Sequence, residues 1–294
     1  MTHRSGVVAV LGRPNVGKST LVNALVGEKI AIVSDKPQTT RRGIRGIRTD
    51  PDAQIVFVDT PGFHKPRTLL GRRLNDLVHD VAGGGVDAVV LVVDAAAGIG
   101  RGDAFVVASQ VAAAGAPCIC AVNKVDRLRR EGLVPQLAAA AELGAIDEIV
   151  PISAATGEGL DVLLRLIVER LPEGPQLYPD GEVTDQSLDE RIADVVREQA
   201  LARTREEVPH SVAVVVEEIE REGDLARVHA SIIVERDSQK GILIGARGST
   251  LKAIGTSARP EIERLLGSRV YLDLRVKVLK EWQKDPRSLE RLGF

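Results

Sequence analysis

Cysteine is almost missing from this chain. Cys118 and Cys120 are the only two, so a disulfide framework is excluded. They stand two apart in Cys-Ile-Cys-Ala-Val, where a strand's period of two puts both on one face. Core packing is the expected role, since a lone C-x-C is a poor metal site. Long apolar runs are missing as well: none approaches the roughly 18 residues that cross a bilayer. No apolar signal region follows Met-Thr-His-Arg-Ser-Gly, which leads straight into a strand. A large charge excess is also absent. With 39 Lys and Arg against 41 Asp and Glu, the net charge is −2, which excludes a globally basic polyanion binder but leaves room for a local basic patch. Internal repeats and long low-complexity tracts do not occur. These absences set the expectation of a soluble, intracellular, cytoplasmic protein. At 294 residues and 44% hydrophobic composition, two domains with sizeable cores are expected.

What is present begins at residues 12–19, Gly-Arg-Pro-Asn-Val-Gly-Lys-Ser. The stretch fits G-x-x-x-x-G-K-[ST] and lies between an apolar run, Val7–Leu11, and a helix-like stretch, Thr20–Leu25. Gly12 and Gly17 let the backbone turn tightly and aim N–H groups inward. With the helix N-terminus behind them these groups make an anion site. Gly12, Arg13, Pro14, Asn15, Val16, Gly17, Lys18, Ser19 and Thr20 are thus candidate phosphate-binding residues. Lys18 can reach the β and γ phosphates, and Ser19 offers a hydroxyl to Mg²⁺.

Strand-like runs recur at Ile55–Val58, Ala88–Val93, Cys118–Val122 and Glu148–Ile152. Helix-like stretches lie between and after them, at Leu69–Val81, Phe105–Ala114, Val134–Leu143 and Leu160–Leu171. Alternating strand and helix predicts an α/β domain over 1–171, a mostly parallel sheet with helices on both faces. Its functional residues should then stand at the carboxyl ends of the strands. Residues 172–187 carry three Pro and two Gly and are expected as a linker. Over 188–294 the pattern changes. Leu188–Thr204 reads as a helix, Ser211–Ile219 and Ala226–Glu235 as strands, 249–266 as a helical region, and Arg269–Val278 as a half-buried strand. This predicts a small α+β domain.

Asp59-Thr60-Pro61-Gly62 ends the Ile55–Val58 strand, about 40 residues after the phosphate loop. In P-loop proteins an Asp here holds Mg²⁺ and the Gly N–H meets the γ-phosphate. Asn123-Lys124-Val125-Asp126 follows another strand. The Asp126 carboxylate can accept two hydrogen bonds from guanine's N1–H and exocyclic amine, an arrangement adenine does not present. Ser153-Ala154 matches a weaker loop that supports the base. In Lys36–Arg42, Thr40 rather than Thr39 is expected to complete a Mg²⁺ site with Ser19 and Asp59. Lys18, Thr40 and Gly62 are the catalytic candidates. For Arg41, Arg42, Arg45 and Arg48 a solvated basic loop stands beside a functional reading.

The ordered motifs over 6–171 resemble the translation-factor class of small GTPases. The resemblance implies a Mg²⁺-dependent switch between GTP and GDP forms. Phe63 stands where Ras-like proteins carry the water-orienting Gln. Asn15 resembles the Asn that holds a monovalent cation in several GTPases with that substitution, so catalysis is expected to lean on Mg²⁺, Lys18 and K⁺ near Asn15. His64 is an alternative water-positioning group beside an apolar or hinge role.

In the second domain, Gln239–Lys252 contains Gly245-Ala246-Arg247-Gly248. This fits the GXXG loop of a KH domain, which clamps a short single-stranded backbone against an apolar groove. Lys240, Ile244, Gly245, Ala246, Arg247, Gly248 and Lys252 are the candidate RNA-binding residues. Residues 236–294 hold thirteen Lys and Arg against seven Asp and Glu, a basic excess that favours a polyanion. Rings are scarce: Tyr271 and Trp282 are the only large ones nearby, so base stacking is not the expected mode.

A GTPase followed by this loop, Gly255-Thr256, Val276-Lys277-Val278 and a tail of Trp282, Asp285-Pro286-Arg287 and Leu292-Gly293-Phe294 resembles the Era family of bacterial GTPases over essentially the whole chain. The resemblance implies a P-loop GTPase domain, a type II KH domain, binding to the 3′ end of 16S ribosomal RNA, a role in small-subunit assembly, a monomer, and a peripheral contact with the inner face of the membrane. The family loop usually reads Gly-Lys-Gly-Gly; Gly-Ala-Arg-Gly here moves the charge by one position. Two other readings stay open: a catalytically weak RNA-binding adaptor, and a GTPase acting on transfer RNA modification.

Overall fold

A computed structural model describes residues 2–34, 36, 39–62, 68–204 and 208–294. It divides into two compact units: one built on Met1–Ala31, Gln38–Pro66 and Gly71–Asp185, the other on Gln186–Phe294 together with Ile32–Pro37 and Arg67–Leu70.

The first unit holds a six-stranded sheet of order β2-β3-β1-β4-β5-β6. The strands are β1 (Arg4–Leu11), β2 (Ile44–Asp50), β3 (Ala53–Asp59), β4 (Ala88–Asp94), β5 (Cys118–Asn123) and β6 (Glu148–Pro151). Only β2 runs antiparallel to its neighbour. The central strands are apolar at nearly every position because both faces are covered. Their period of two divides them between two cores. Val8, Val10, Val90, Val92, Ile119 and Ala121 face one way, against helices α1 (Lys18–Val26) and α6 (Leu160–Arg170). Ala9, Leu11, Val89, Leu91, Cys118 and Cys120 face the other, toward α2 (Leu69–Gly83), α3 (Arg101–Val106), α4 (Ala112–Ala114) and α5 (Arg130–Ala141). Both cysteines are free and buried, as expected. Burial pushes their thiols up to about 12, which leaves them unreactive.

Two local departures from the sequence pattern appear. The stretch expected as one helix over Phe105–Ala114 is α3, a π turn at Val107–Val111 and then α4. Strand β2 gave little signal because it is a charged edge strand, Ile-Arg-Gly-Ile-Arg-Thr-Asp, and edge strands carry charge to block further pairing. Its Arg48 pairs with Asp50 at 2.7 and 3.0 Å, and Arg45 pairs with Asp185 at 2.7 Å.

Residues 172–185 belong to the first unit and are strapped to it. Isolated bridges join Arg4 to Glu173 and Gly46 to Thr184. Gln54, fully buried, accepts from the N–H groups of Leu177 and Tyr178 at 2.6 and 2.8 Å and donates to the Tyr178 carbonyl at 2.9 Å. Proline removes donors from a regular ladder but leaves such side-chain bonds intact.

The second unit has a three-stranded sheet, β7 (Ala213–Glu222), β8 (Leu225–Val234) and β9 (Arg269–Val278), in that order. β7 pairs antiparallel and β9 parallel to β8. Its helices are α7 (Leu188–Ala202), α8 (Val208–Ser211), α9 (Asp237–Ile244), α10 (Ser249–Leu266) and α11 (Pro286–Arg291). α10 runs unbroken through Pro260. Burial of Ile254, Ala258, Ile262 and Leu266, one stripe of the helix, outweighs the roughly 3 kcal/mol that an interior proline costs. Trp282 is fully buried; its Nε1 donates to the Ser211 carbonyl at 3.1 Å and its ring stacks on Phe294.

Candidate functional site

The loop between β1 and α1 has the backbone that its sequence requires. Gly17 has φ +101°, and a Cβ there would lie 2.4 Å from Asn123 Nδ2. Gly62 packs so closely that a Cβ would lie 2.7 Å from the Pro14 Cα. Both glycines therefore permit contacts between motifs that are far apart in sequence. Asn123 donates to the Val16 carbonyl at 2.9 Å and accepts from the Ala154 N–H at 3.0 Å. Lys124 donates to the Asn15 carbonyl at 2.7 Å and pairs with Asp94. Thr60 donates to the Val10 carbonyl at 2.8 Å.

Lys18 is buried, donating to the carbonyls of Gly12 and Arg13 at 3.0 and 2.9 Å. Burial lowers its pKa from 10.5 to about 8, opposed by the nearby Asp59. Asp59 is fully buried, and its carboxyl is held above the usual range by burial, against Lys18 and the hydroxyls of Ser19 and Thr40. Ser19 Oγ and Thr40 Oγ1 lie 2.7 and 3.2 Å from Asp59 Oδ2 and 2.9 Å from each other. Asp59 Oδ1 is buried with no hydrogen-bond partner among the described residues. Two hydroxyls and a carboxylate with an orphaned oxygen are hard donors suited to Mg²⁺. The structure thus gathers the three residues expected to hold the ion.

Asp126 is exposed in a short turn after β5, and its Oδ1 accepts from the buried Ser153 hydroxyl at 2.6 Å. Ser153 signals weakly in sequence, yet it orients the carboxylate expected to read guanine. Asp94 was missed. It stands at the carboxyl end of β4, where the strand-end rule points. Pro61 is buried just after β3, and Thr20 lies in the first turn of α1. Phe63 and His64 lie outside the described residues.

In the second unit, α9 ends at Gly245 and α10 starts after Gly248. Gly245 has φ +72°, and a Cβ there would meet the Thr250 hydroxyl at 2.3 Å. Ala246 and Arg247 are exposed on the loop and Lys252 on the first turn of α10, while Lys240 and Ile244 are half-buried. The first turn of α10 holds no acidic residue, so its N–H groups and positive end favour an anion. Ile242 is 51% exposed beside the loop, whereas Leu243 is core. Trp282 is buried, and Tyr271, 54% exposed, lies under the Arg227 guanidinium.

Residues 7–124 match the family described as 50S ribosome-binding GTPase, and residues 207–283 match the KH domain family. The chain is 52% identical over 296 residues to GTPase Era of Mycobacterium tuberculosis strain H37Rv, covering 99% of this chain and 98% of that protein. GTPase Era of Mycolicibacterium smegmatis is 52% identical, covering 99% of each. Among solved structures, Era in complex with MgGDPNP and nucleotides 1506–1542 of 16S ribosomal RNA superposes with a TM-score of 0.95 at 37% identity, covering 99% of both chains. With its P-loop, its Asn123–Asp126 turn and its GXXG loop in place, this chain is a GTPase and belongs to the Era family.

Proposed function

We propose that this GTPase binds the 3′ end of small-subunit ribosomal RNA through its second unit and assists small-subunit assembly, with GTP hydrolysis as the timing step. The observation that carries the reading is the exposed Gly245–Gly248 loop, open at the N-terminus of α10, on a chain whose first unit gathers Lys18, Ser19, Thr40 and Asp59. The solved Era complex with 16S ribosomal RNA supports the choice of RNA.

The roles follow from the geometry. The loop N–H groups and Lys18 bind the phosphates, and Asp126, oriented by Ser153, reads the guanine edge. Ser19, Thr40 and Asp59 would hold Mg²⁺, which when bound offsets charge on the transferring phosphoryl group. Gly62, packed on Pro14, brings its N–H to the γ-phosphate side of the loop. Asn15 has φ +63° and is assigned a K⁺ beside the phosphates. In the second unit Arg247 and Lys252 meet the RNA backbone, and Ile244 and Ile242 line the apolar side. The reading places a monomer in the cytoplasm, with a peripheral membrane contact taken from the family resemblance.

The test is GTP turnover measured with and without an RNA fragment of the 16S 3′ end, in K⁺ and in Na⁺ buffer. The expected result is faster turnover with RNA and in K⁺. No stimulation by RNA favours the adaptor reading. Equal rates in the two buffers remove the K⁺ role. Crosslinking to transfer RNA in place of ribosomal RNA favours the modification reading.

A further inference from the structure

Among the described residues, the side chains of Asn123, Lys124 and Asp103 hydrogen-bond to the phosphate loop from outside it. The Val16 carbonyl is held by Asn123 and the Asn15 carbonyl by Lys124. The third contact belongs to none of the nucleotide-binding motifs. Arg13 Nε donates to Asp103 Oδ1 at 2.8 Å, and its Nη2 donates to the Gly98 carbonyl at 3.2 Å.

We propose that Asp103 is a positioning residue for nucleotide binding, holding the phosphate loop in its receptive shape through the Arg13 guanidinium. The proposal rests on the loop being the GTP site. Asp103 is 1% exposed at the start of α3, and its other oxygen accepts from the Gly100 N–H at 3.0 Å. Both carboxylate oxygens are therefore used, and the group cannot swing. The helix start is shaped to receive the arginine: a Cβ on Gly102 would lie 2.6 Å from Arg13 Cδ. The guanidinium is thus an anchor, and Arg13 serves nucleotide through its backbone. That backbone matters, because the Arg13 carbonyl takes the Lys18 ammonium at 2.9 Å. The loop also holds Asn15 at φ +63°, a conformation costly for a non-glycine residue that persists only where the surroundings fix it. A buried ion pair is weak evidence for stability as such, so its consequence is sought in geometry.

The test compares Asp103→Asn, Arg13→Gln and the double variant in the full chain. Affinity for fluorescent mant-GDP and mant-GTP is measured beside steady-state hydrolysis and nucleotide-free melting. Each single variant is expected to weaken both nucleotides about tenfold, the scale of a small misplacement of binding groups. KM should rise in step, while kcat changes less than about threefold, since the loop grips substrate and transition state alike. The double variant should be no weaker than the worse single one, because one contact has been removed. Arg13→Lys should restore part of the affinity. A lowered melting temperature with unchanged affinity would reduce the pair to a structural role and overturn the proposal. Additive losses would also overturn it, since Arg13 and Asp103 would then act separately. Should Asp103→Asn fail to fold, Arg13→Gln, on the partly exposed partner, decides by the same affinity criterion. A wild-type chain that binds neither nucleotide removes the GTP reading, and this proposal with it; a wild-type chain that binds both beside variants that bind equally well removes this proposal alone.

Discussion

At Lys18 the site buries a charge before its partner arrives. Its folded pKa of about 8 lies below the ordinary 10.5. Between those values the unfolded chain binds more protons than the folded one, so stability of the nucleotide-free protein rises with pH across that window and is flat below it. A bound phosphate reverses the preference, because the anion favours the ammonium form. GDP binding at about pH 9 should therefore take up a proton from solution, and affinity should fall as pH rises past 8. Calorimetry in two buffers of different ionisation enthalpy checks this; a binding heat independent of buffer would contradict it. At this scale the sequence was most legible where residue type follows from chemistry, as at Gly17, Lys18 and Asp59. It was least legible at Ser153, Asp94 and Asp103, whose roles depend on the partner that the fold brings to them.

Among the elements, α10 shows how context overrides local preference. Gly255 and Pro260 both argue against a helix, yet a buried stripe from Ile254 to Leu266 carries it through 18 residues. Its N-terminus joins the Gly245–Gly248 loop, and there Gly248 has φ +78° with nothing within 4 Å of a would-be Cβ. Any side chain is strained at that φ, but Asp is among the residues that adopt it most readily, so Gly248→Asp should fold, at some cost in stability, while setting a negative charge where a phosphate would bind. RNA affinity should drop at least about tenfold, with GTP binding retained. Gel-shift and nucleotide-binding measurements on one preparation check this, and retained RNA affinity would show that the loop is only a turn. The short elements α8, α9 and α11 were not legible. Four to eight residues do not establish a helical period, and their helicity comes from packing.

For the molecule as a whole, the division into two cores was legible from the change in element pattern near residue 188. The course of the connecting segment was not. Its Pro and Gly content reads as a free linker, but residues 172–185 fasten to the first unit through Gln54, Ser5, Ile47 and Arg45. A fragment of residues 1–171 should therefore melt lower than one of residues 1–185, by about 2 kcal/mol of stability, because Gln54 keeps its bond to Thr49 but loses the three it makes with Leu177 and Tyr178. Thermal melts of the two fragments with GDP check this; equal midpoints would show that the strap contributes nothing to the first unit.

The sequence by itself determined the parts whose chemistry is local: a phosphate loop, a carboxylate at a strand end, the Asn123–Asp126 turn, a GXXG loop, and the alternation that makes a parallel sheet. Those follow from residue type and spacing, and a short stretch of chain suffices to express them. Tertiary structure decided which distant residues meet beyond the expected Mg²⁺ donors: Ser153 with Asp126, Asp103 with Arg13, and the 172–185 strap with β2 and β3. No periodicity records such meetings, because packing of the sheet between two helical layers fixes them only once the whole unit has folded.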